Sequence, residues 1–369
     1  MKVKYLTKLN KVSELSENEV NDLQPVSEEY AFRTNDYYNS LIDWNDPADP
    51  IKRLVIPMQE ELANWGELDA SDEKSYQPVS GLEHKYKDTA LLLCNDVCAA
   101  YCRFCFRKRL FQNDNDEVVK DVTEGIEYIK NHPEITNVLL TGGDPLIMST
   151  SKLSGIMDQL VEIEHIKNIR IGTKIPAFNP FRILNDDSLL EYFASIQEKQ
   201  IYIMAHFNHK RELTDVAVDS LNKLRASGVS IVNQTPIIRG VNDSVEVLSE
   251  LFNALSFIGI QPYYVFGCRP TAGNKSFAVP IEEAFRIFRD AVRIKSGLAK
   301  TARFIMSHKL GKIELVGMTE DSIVLKYHNM VDDSKNGQIL ICKRNPEAYW
   351  FDDYEVINED KTELELSSI

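Results

Sequence analysis

The chain has 369 residues, 43% hydrophobic and 27% charged, enough for one large core or for a barrel with small terminal additions. Its 42 Lys and Arg against 56 Asp and Glu give a net charge of −14, which argues against nucleic acid and anionic membranes as partners. The polar start MKVKYLTKLNKVSELSENEV lacks the features of a signal peptide, and no apolar run nears the ~20 residues that span a bilayer, so the sequence reads as cytoplasmic.

Residues 1–80 read as a helical N-terminal extension. LSENEVNDL (15–23) and PMQEELANW (57–65) are expected to be short helices, with NDPADPIKR (45–53) a turn-rich connection. From 81 to 300 a regular rhythm sets in. Six β-rich runs, TALLLC (89–94), ITNVLLT (135–141), NIRIGT (168–173), QIYIMAHF (200–207), VSIVNQTP (229–236) and IQPYYVF (260–266), alternate with helix-like stretches such as KLSGIMDQLVEI and IEEAFRIFRDAVRI. That alternation predicts an α/β fold with a parallel sheet and crossover helices, and six units favour a barrel or an incomplete barrel. Chemistry in such folds sits at the C-terminal ends of the strands. Over 301–369 the pattern changes to RFIMS, KIELVG, DSIVLKYH and GQILICK, a small β-rich antiparallel appendage. An acidic tail from Asp352 onward has the composition of a partly disordered segment.

Four of the six cysteines, Cys94, Cys98, Cys102 and Cys105, fall within twelve residues, whereas Cys268 and Cys342 stand apart. In a chain without a secretion signal such clustering indicates metal or redox chemistry rather than disulfides. Cys98, Cys102 and Cys105, spaced by three and two residues after the first strand, can ligate three irons of a [4Fe–4S] cubane and leave the fourth iron open. A structural zinc would want a fourth ligand, and none lies at a matching interval; Cys94 reads as a buried strand residue. At the end of the second strand, Leu140-Thr141-Gly142-Gly143-Asp144-Pro145 puts two glycines where backbone can approach a ligand closely.

The three-then-two cysteine spacing resembles that of radical S-adenosylmethionine (SAM) enzymes. A longer series, HKYKDTALLL, CRFCFRKRLF, LLTGGDPL, RIGTKIPAFNPFRI, HFNHKREL, NQTPIIRGVND and YYVFGCRPTAGNKSF, is similar to the lysine 2,3-aminomutase family over about residues 80–315. The resemblance implies an incomplete (βα)6 TIM-like barrel of radical SAM type. It also implies a 5′-deoxyadenosyl radical made from SAM at the open iron, and pyridoxal phosphate (PLP) holding a small-molecule amino acid while its amino group moves to the next carbon. An electron donor such as flavodoxin or ferredoxin is required. Residue by residue, it assigns SAM to Gly142, Gly143, Asp144, His206 and Gln234, with Asn233 beside them. Arg107 takes the substrate α-carboxylate, where a guanidinium fork suits a planar anion.

For the PLP lysine the resemblance offers Lys312, with Lys309 as the alternative. The arginines that relatives set on the PLP phosphate are replaced by Lys85 and Thr89. The two aspartates that read a lysine side chain are replaced by Arg269 and Ile305, so the expected substrate is an α-amino acid other than lysine, and Arg269 suits a side-chain carboxylate such as that of glutamate. No zinc-binding cysteine set lies near the C-terminus, so any oligomer is held by other contacts. Two alternatives remain: a metal site at His206, His209 and Glu212, and a PLP-independent radical SAM enzyme performing another C–H abstraction, which Thr89 favours.

Overall fold

The computed structural model describes residues 2–112 and 115–359. Strand β1 (Tyr5–Leu6) leads to helix α1 (Glu17–Glu29), which Ser16 and Glu19 start with a reciprocal capping box. β2 (Thr34–Asn35) pairs antiparallel with β1, and α2 (Asp36–Asn39) and α3 (Pro50–Val55) follow. NDPADPIKR is thus more than a connection. Asp49 caps α3 through the Ile51 and Lys52 amides, and Pro50 occupies the first turn, where its missing N–H costs nothing. PMQEELANW contributes only a 3-10 turn, Gln59–Leu62.

The remaining strands are β3 (Leu82–Tyr86), β4 (Thr89–Asn95), β5 (Asn137–Gly142), β6 (Asn168–Thr173), β7 (Gln200–Ala205), β8 (Ser230–Pro236), β9 (Gln261–Phe266), β10 (Arg303–His308), β11 (Gly311–Met318), β12 (Ser322–Met330), β13 (Ile339–Lys343) and β14 (Val356–Glu359). They form one twelve-stranded sheet in unbroken sequence order. Helices α4 (Thr123–Lys130), α5 (Thr150–Val161), α6 (Ile175–Phe178), α7 (Phe181–Leu184), α8 (Asp187–Ser195), α9 (Asp215–Ala226), α10 (Val245–Phe257) and α11 (Ile281–Arg293) link the parallel part. The order never reverses, so the sheet has no switch point of the doubly wound kind.

One expectation needs correction. RFIMS does not open the antiparallel appendage: as β10 it pairs parallel with β9, and β4 to β10 make seven parallel strands. Alternation identifies a strand but not its direction, and here α11 supplies the crossover that a parallel neighbour needs. The tail is ordered at least to Glu359, because Asp352 bonds His308 and β14 pairs with β13; its residues from 360 lie outside the described ones.

The N-terminal extension is joined to the sheet by buried charge. Fully buried Glu61 accepts a forked pair of hydrogen bonds from Arg103 and an ion pair from Lys108 at 3.3 Å, both residues of the cysteine loop. Removing one partner of such a cluster leaves the others buried and uncompensated, at a cost of about 3–5 kcal/mol. Glu61→Gln is therefore expected to lower the urea-unfolding free energy by about that amount; a loss below about 1 kcal/mol would show that the cluster carries no such load.

Candidate active site

The loop after β4 carries Cys98, Cys102 and Cys105, and all three line one cavity of about 510 Å³, a size typical of ligand sites. Its backbone is tied to the extension: Tyr101 N–H donates to Arg33 O and Arg103 N–H to Leu54 O, each at 2.9 Å. Burial pushes the Cys98 thiol up, and the negative charges of Asp144, Cys105 and Cys102 add to this. Thiolates there call for a compensating positive group such as iron. Among the described residues no three His, Cys, Asp or Glu side chains converge as on a single metal ion. Three thiolates bound to separate irons of a cubane need no such convergence, so the loop fits the cluster. Cys94 is buried in β4.

Gly142 and Gly143 also line the cavity, but their lack of side chains serves the protein. A Cβ on Gly142, whose φ is 105°, would lie 2.5 Å from Asn95 O, and one on Gly143 2.5 Å from Val97 O. The end of β5 thereby nests against the approach to the cysteine loop. Asn95 Nδ2 pins the junction by donating to Val97 O at 2.6 Å and Asp144 O at 2.8 Å, a role that sequence reading missed. Asp144 differs from expectation as well. Its carboxylate accepts from Leu146 N, Thr173 Oγ1 and Lys174 N, so it organises two strand ends. Burial still raises it to about 6.

His206 lies beside Phe104, with 5.7 Å between ring centroids, and its Nε2 accepts from Asn208 Nδ2 at 3.0 Å, which leaves the proton on Nδ1. Burial, with Lys174 adding to it, holds this imidazole neutral. Glu212 is spent on Tyr38, Lys174 and two backbone amides, and His209 caps the turn at Arg211, so the proposed three-residue metal site is not assembled. Gln234 lines the cavity at a register shift of β8, while Asn233 pins the backbone of Phe207.

Arg107 reaches the cavity wall with its fork already closed on protein. Nε and Nη2 donate to the two oxygens of Glu73 at 3.0 Å, Nη2 also to Glu83 at 3.1 Å, and Nη1 to Thr141 at 2.9 Å. The expected free fork for a substrate carboxylate is replaced by a hub. Glu73 bonds Arg109 as well, and the arginines hold its carboxyl well below the usual range; burial and the charge of Glu73 push Glu83 up to about 7. Neither glutamate stood out in the sequence.

At the other end of the cavity Lys312 projects from β11, its Nζ 3.9 Å from the centre of the Tyr86 ring. Burial, then the charges of Arg170, Arg269 and Lys85, bring its ammonium down to about 7. Lys309 lies in the exposed turn between β10 and β11 and does not line the cavity. Lys85 donates to His308 O at 3.0 Å, and Thr89 donates to Asp88 at 2.9 Å. Arg269 stacks on Phe106 with its guanidinium 3.7 Å from the ring centre. Its Nη1 is buried without a hydrogen-bond partner among the described residues and lies 3.7 Å from Glu73. Ile305 is fully buried and does not line the cavity.

A three-cysteine loop over the mouth of a parallel sheet, with residues 92–252 matching the Radical SAM superfamily, defines a radical SAM enzyme, the class that uses a [4Fe–4S] cluster and SAM. A protein of Aquifex aeolicus (strain VF5), provisionally named an L-lysine 2,3-aminomutase, is 55% identical over 98% of this chain and 98% of its own. The L-lysine 2,3-aminomutase of Clostridium subterminale is 38% identical over 68% of this chain and 60% of its own, and the glutamate 2,3-aminomutase of Clostridioides difficile (strain 630) 32% identical over 82% and 71%. The chain belongs to the lysine 2,3-aminomutase family.

Gly143→Ala tests the junction beneath the cysteines. Its Cβ would meet the Val97 backbone, which cannot move without moving the loop. Iron bound after anaerobic reconstitution is expected to fall by more than half, with far-ultraviolet circular dichroism unchanged. Full iron occupancy would show that the loop tolerates the displacement.

Proposed function

We propose that the chain is a PLP-dependent radical SAM 2,3-aminomutase acting on an α-amino acid other than lysine, in an incomplete (βα)-type barrel. The cavity walled by β4 through β11 supports that architecture, since one concave face presents residues from strands across the sheet. The observation that carries the reaction is Lys312, a buried amine near neutrality in the cavity that the three cysteines cap. When bound, the cluster and SAM supply a hydrogen-abstracting radical, and PLP supplies the carbonyl that holds the substrate amino group.

This chain's residues do the rest. Cys98, Cys102 and Cys105 would hold the cluster, and Gly142, Gly143, His206 and Gln234 would border bound SAM. Lys312 Nζ, which loses its proton at about pH 7, would hold PLP through its carbonyl carbon. Glu83 can hold or release a proton in the same pH range. Arg107 fixes Glu73 and Glu83, while Arg269 keeps donors for a substrate carboxylate. A lysine ammonium in its place would meet a like charge, whereas a carboxylate side chain such as that of glutamate would gain charge-assisted hydrogen bonds.

Borohydride reduction of the PLP-loaded protein is expected to fix a pyridoxyl group on Lys312, read by peptide mass mapping. When PLP is added to the unloaded protein, the rate of adduct formation should climb as pH rises through about 7 and level off above it, because only the uncharged amine attacks the aldehyde. A loaded cluster with no trapped lysine would leave a radical SAM enzyme with a PLP-independent reaction. Among amino acids, glutamate is expected to stimulate 5′-deoxyadenosine release and lysine not, and Arg269→Met should cut the glutamate response at least about tenfold. Equal stimulation by lysine would sink the substrate assignment.

A further inference from the structure

The surroundings of Arg170 are unusual for a buried arginine. It projects from β6 into the cavity wall, across β5 from Thr89 on β4. Nη2 reaches Thr89 Oγ1 at 3.4 Å, a long and weak contact, and Nε is buried without a hydrogen-bond partner among the described residues. Those residues bring no carboxylate into ion-pair contact with it. Asp88 and the two phenols of Tyr263 and Tyr264 favour its charge only from a distance, and burial works against it. Its charge is felt at Lys312, as are those of Arg269 and Lys85. The arginines near the cysteine loop are neutralised by glutamates in close hydrogen-bonded pairs; in this group around Lys312, Arg269 has only a 3.7 Å contact with Glu73, and among the described residues Arg170 and Lys85 have no ion pair. A buried guanidinium with an unsatisfied donor is costly unless an anion completes it.

We infer that Arg170 grips the phosphate of PLP bound at Lys312, taking over from the arginines absent at positions 85 and 89. The inference rests on the PLP reading above. A phosphate dianion matches both the surplus positive charge and the fork of donors, and the small Thr89 leaves Arg170 its access.

The test compares PLP with pyridoxal, which has the same aldehyde and no phosphate, by absorbance titration of cluster-loaded protein. Arg170→Met is expected to weaken PLP binding about tenfold to a hundredfold, the worth of one or two charge-assisted hydrogen bonds, while pyridoxal affinity changes less than about twofold. Arg170→Lys keeps the charge without the fork and should fall between; it also serves if the Met variant folds poorly. If PLP and pyridoxal weaken together, or neither weakens in the Lys and Met variants, Arg170 does not hold the phosphate, although the lysine adduct can still stand. If the unaltered protein forms no adduct with either aldehyde, the PLP reading itself falls and this inference with it.

Discussion

The site depends on neutralising a buried basic loop. Arg103, Arg107, Lys108 and Arg109 follow one another through and beyond the cysteines, and none is more than 7% exposed. Four cations cannot be taken out of water alone. Four glutamates answer them, Glu61, Glu73, Glu83 and Glu117, each at most 4% exposed and each in ion-pair contact with at least one of the four. Two of these acids, Glu61 and Glu73, come from the N-terminal extension. The extension is therefore part of the machinery that shapes the cysteine loop, since Glu61 and Glu73 hold Arg103 and Arg107 from 42 and 34 residues away in sequence.

The same accounting separates the two ends of the cavity. Near the cysteines every cation of the loop has its acid. Around Lys312 the neighbouring charges are Arg170, Arg269 and Lys85, and the acids within reach, Glu73 and Glu83, are committed to Arg107. Like charge and burial act on Lys312 in the same direction and release its proton near neutrality. The cationic neighbours that add to the effect of burial on this amine also favour anions in its pocket, so the reactivity proposed for Lys312 and the proposed hold on phosphate or carboxylate share one physical origin.

Much of this was legible in sequence, and what was not has a common cause. The six predicted strands are found within a residue or two, because alternation and turn residues are local signals. The cysteine spacing is local too. Lys312 followed from family resemblance, and strand alternation agrees: Gly311, Ile313 and Leu315 are buried against the core, while Lys312 faces the cavity. Glu73 was invisible, since its polar, turn-rich surroundings read as solvated surface and its partners are 34 or more residues distant. Gly142 and Gly143 were recognised as special for the ligand they border; that a side chain on either would also strike the backbone of Asn95 or Val97 was not visible in sequence.

Arg170 could not be singled out in sequence for a more general reason. In NIRIGT the apolar residues alternate with Asn168, Arg170 and Gly172, and on a sheet with one wet face that pattern sends arginine to solvent. Here the polar face is the concave one. A closed eight-stranded barrel fills that interior with layers of branched side chains. Seven parallel strands flanked by antiparallel β3 and β11 leave it open enough for Arg170, Asn137, Thr141 and Gly172 to border a cavity. The apolar residues of β6, Ile169 and Ile171, instead pack outward beneath the helices. Binary patterning thus reports which face of a strand is dry, not whether the other face meets bulk water or a chamber built for a charged ligand. Only the curvature of the whole sheet decides between the two, and that curvature is a property of strand number and pairing that no single strand's sequence contains.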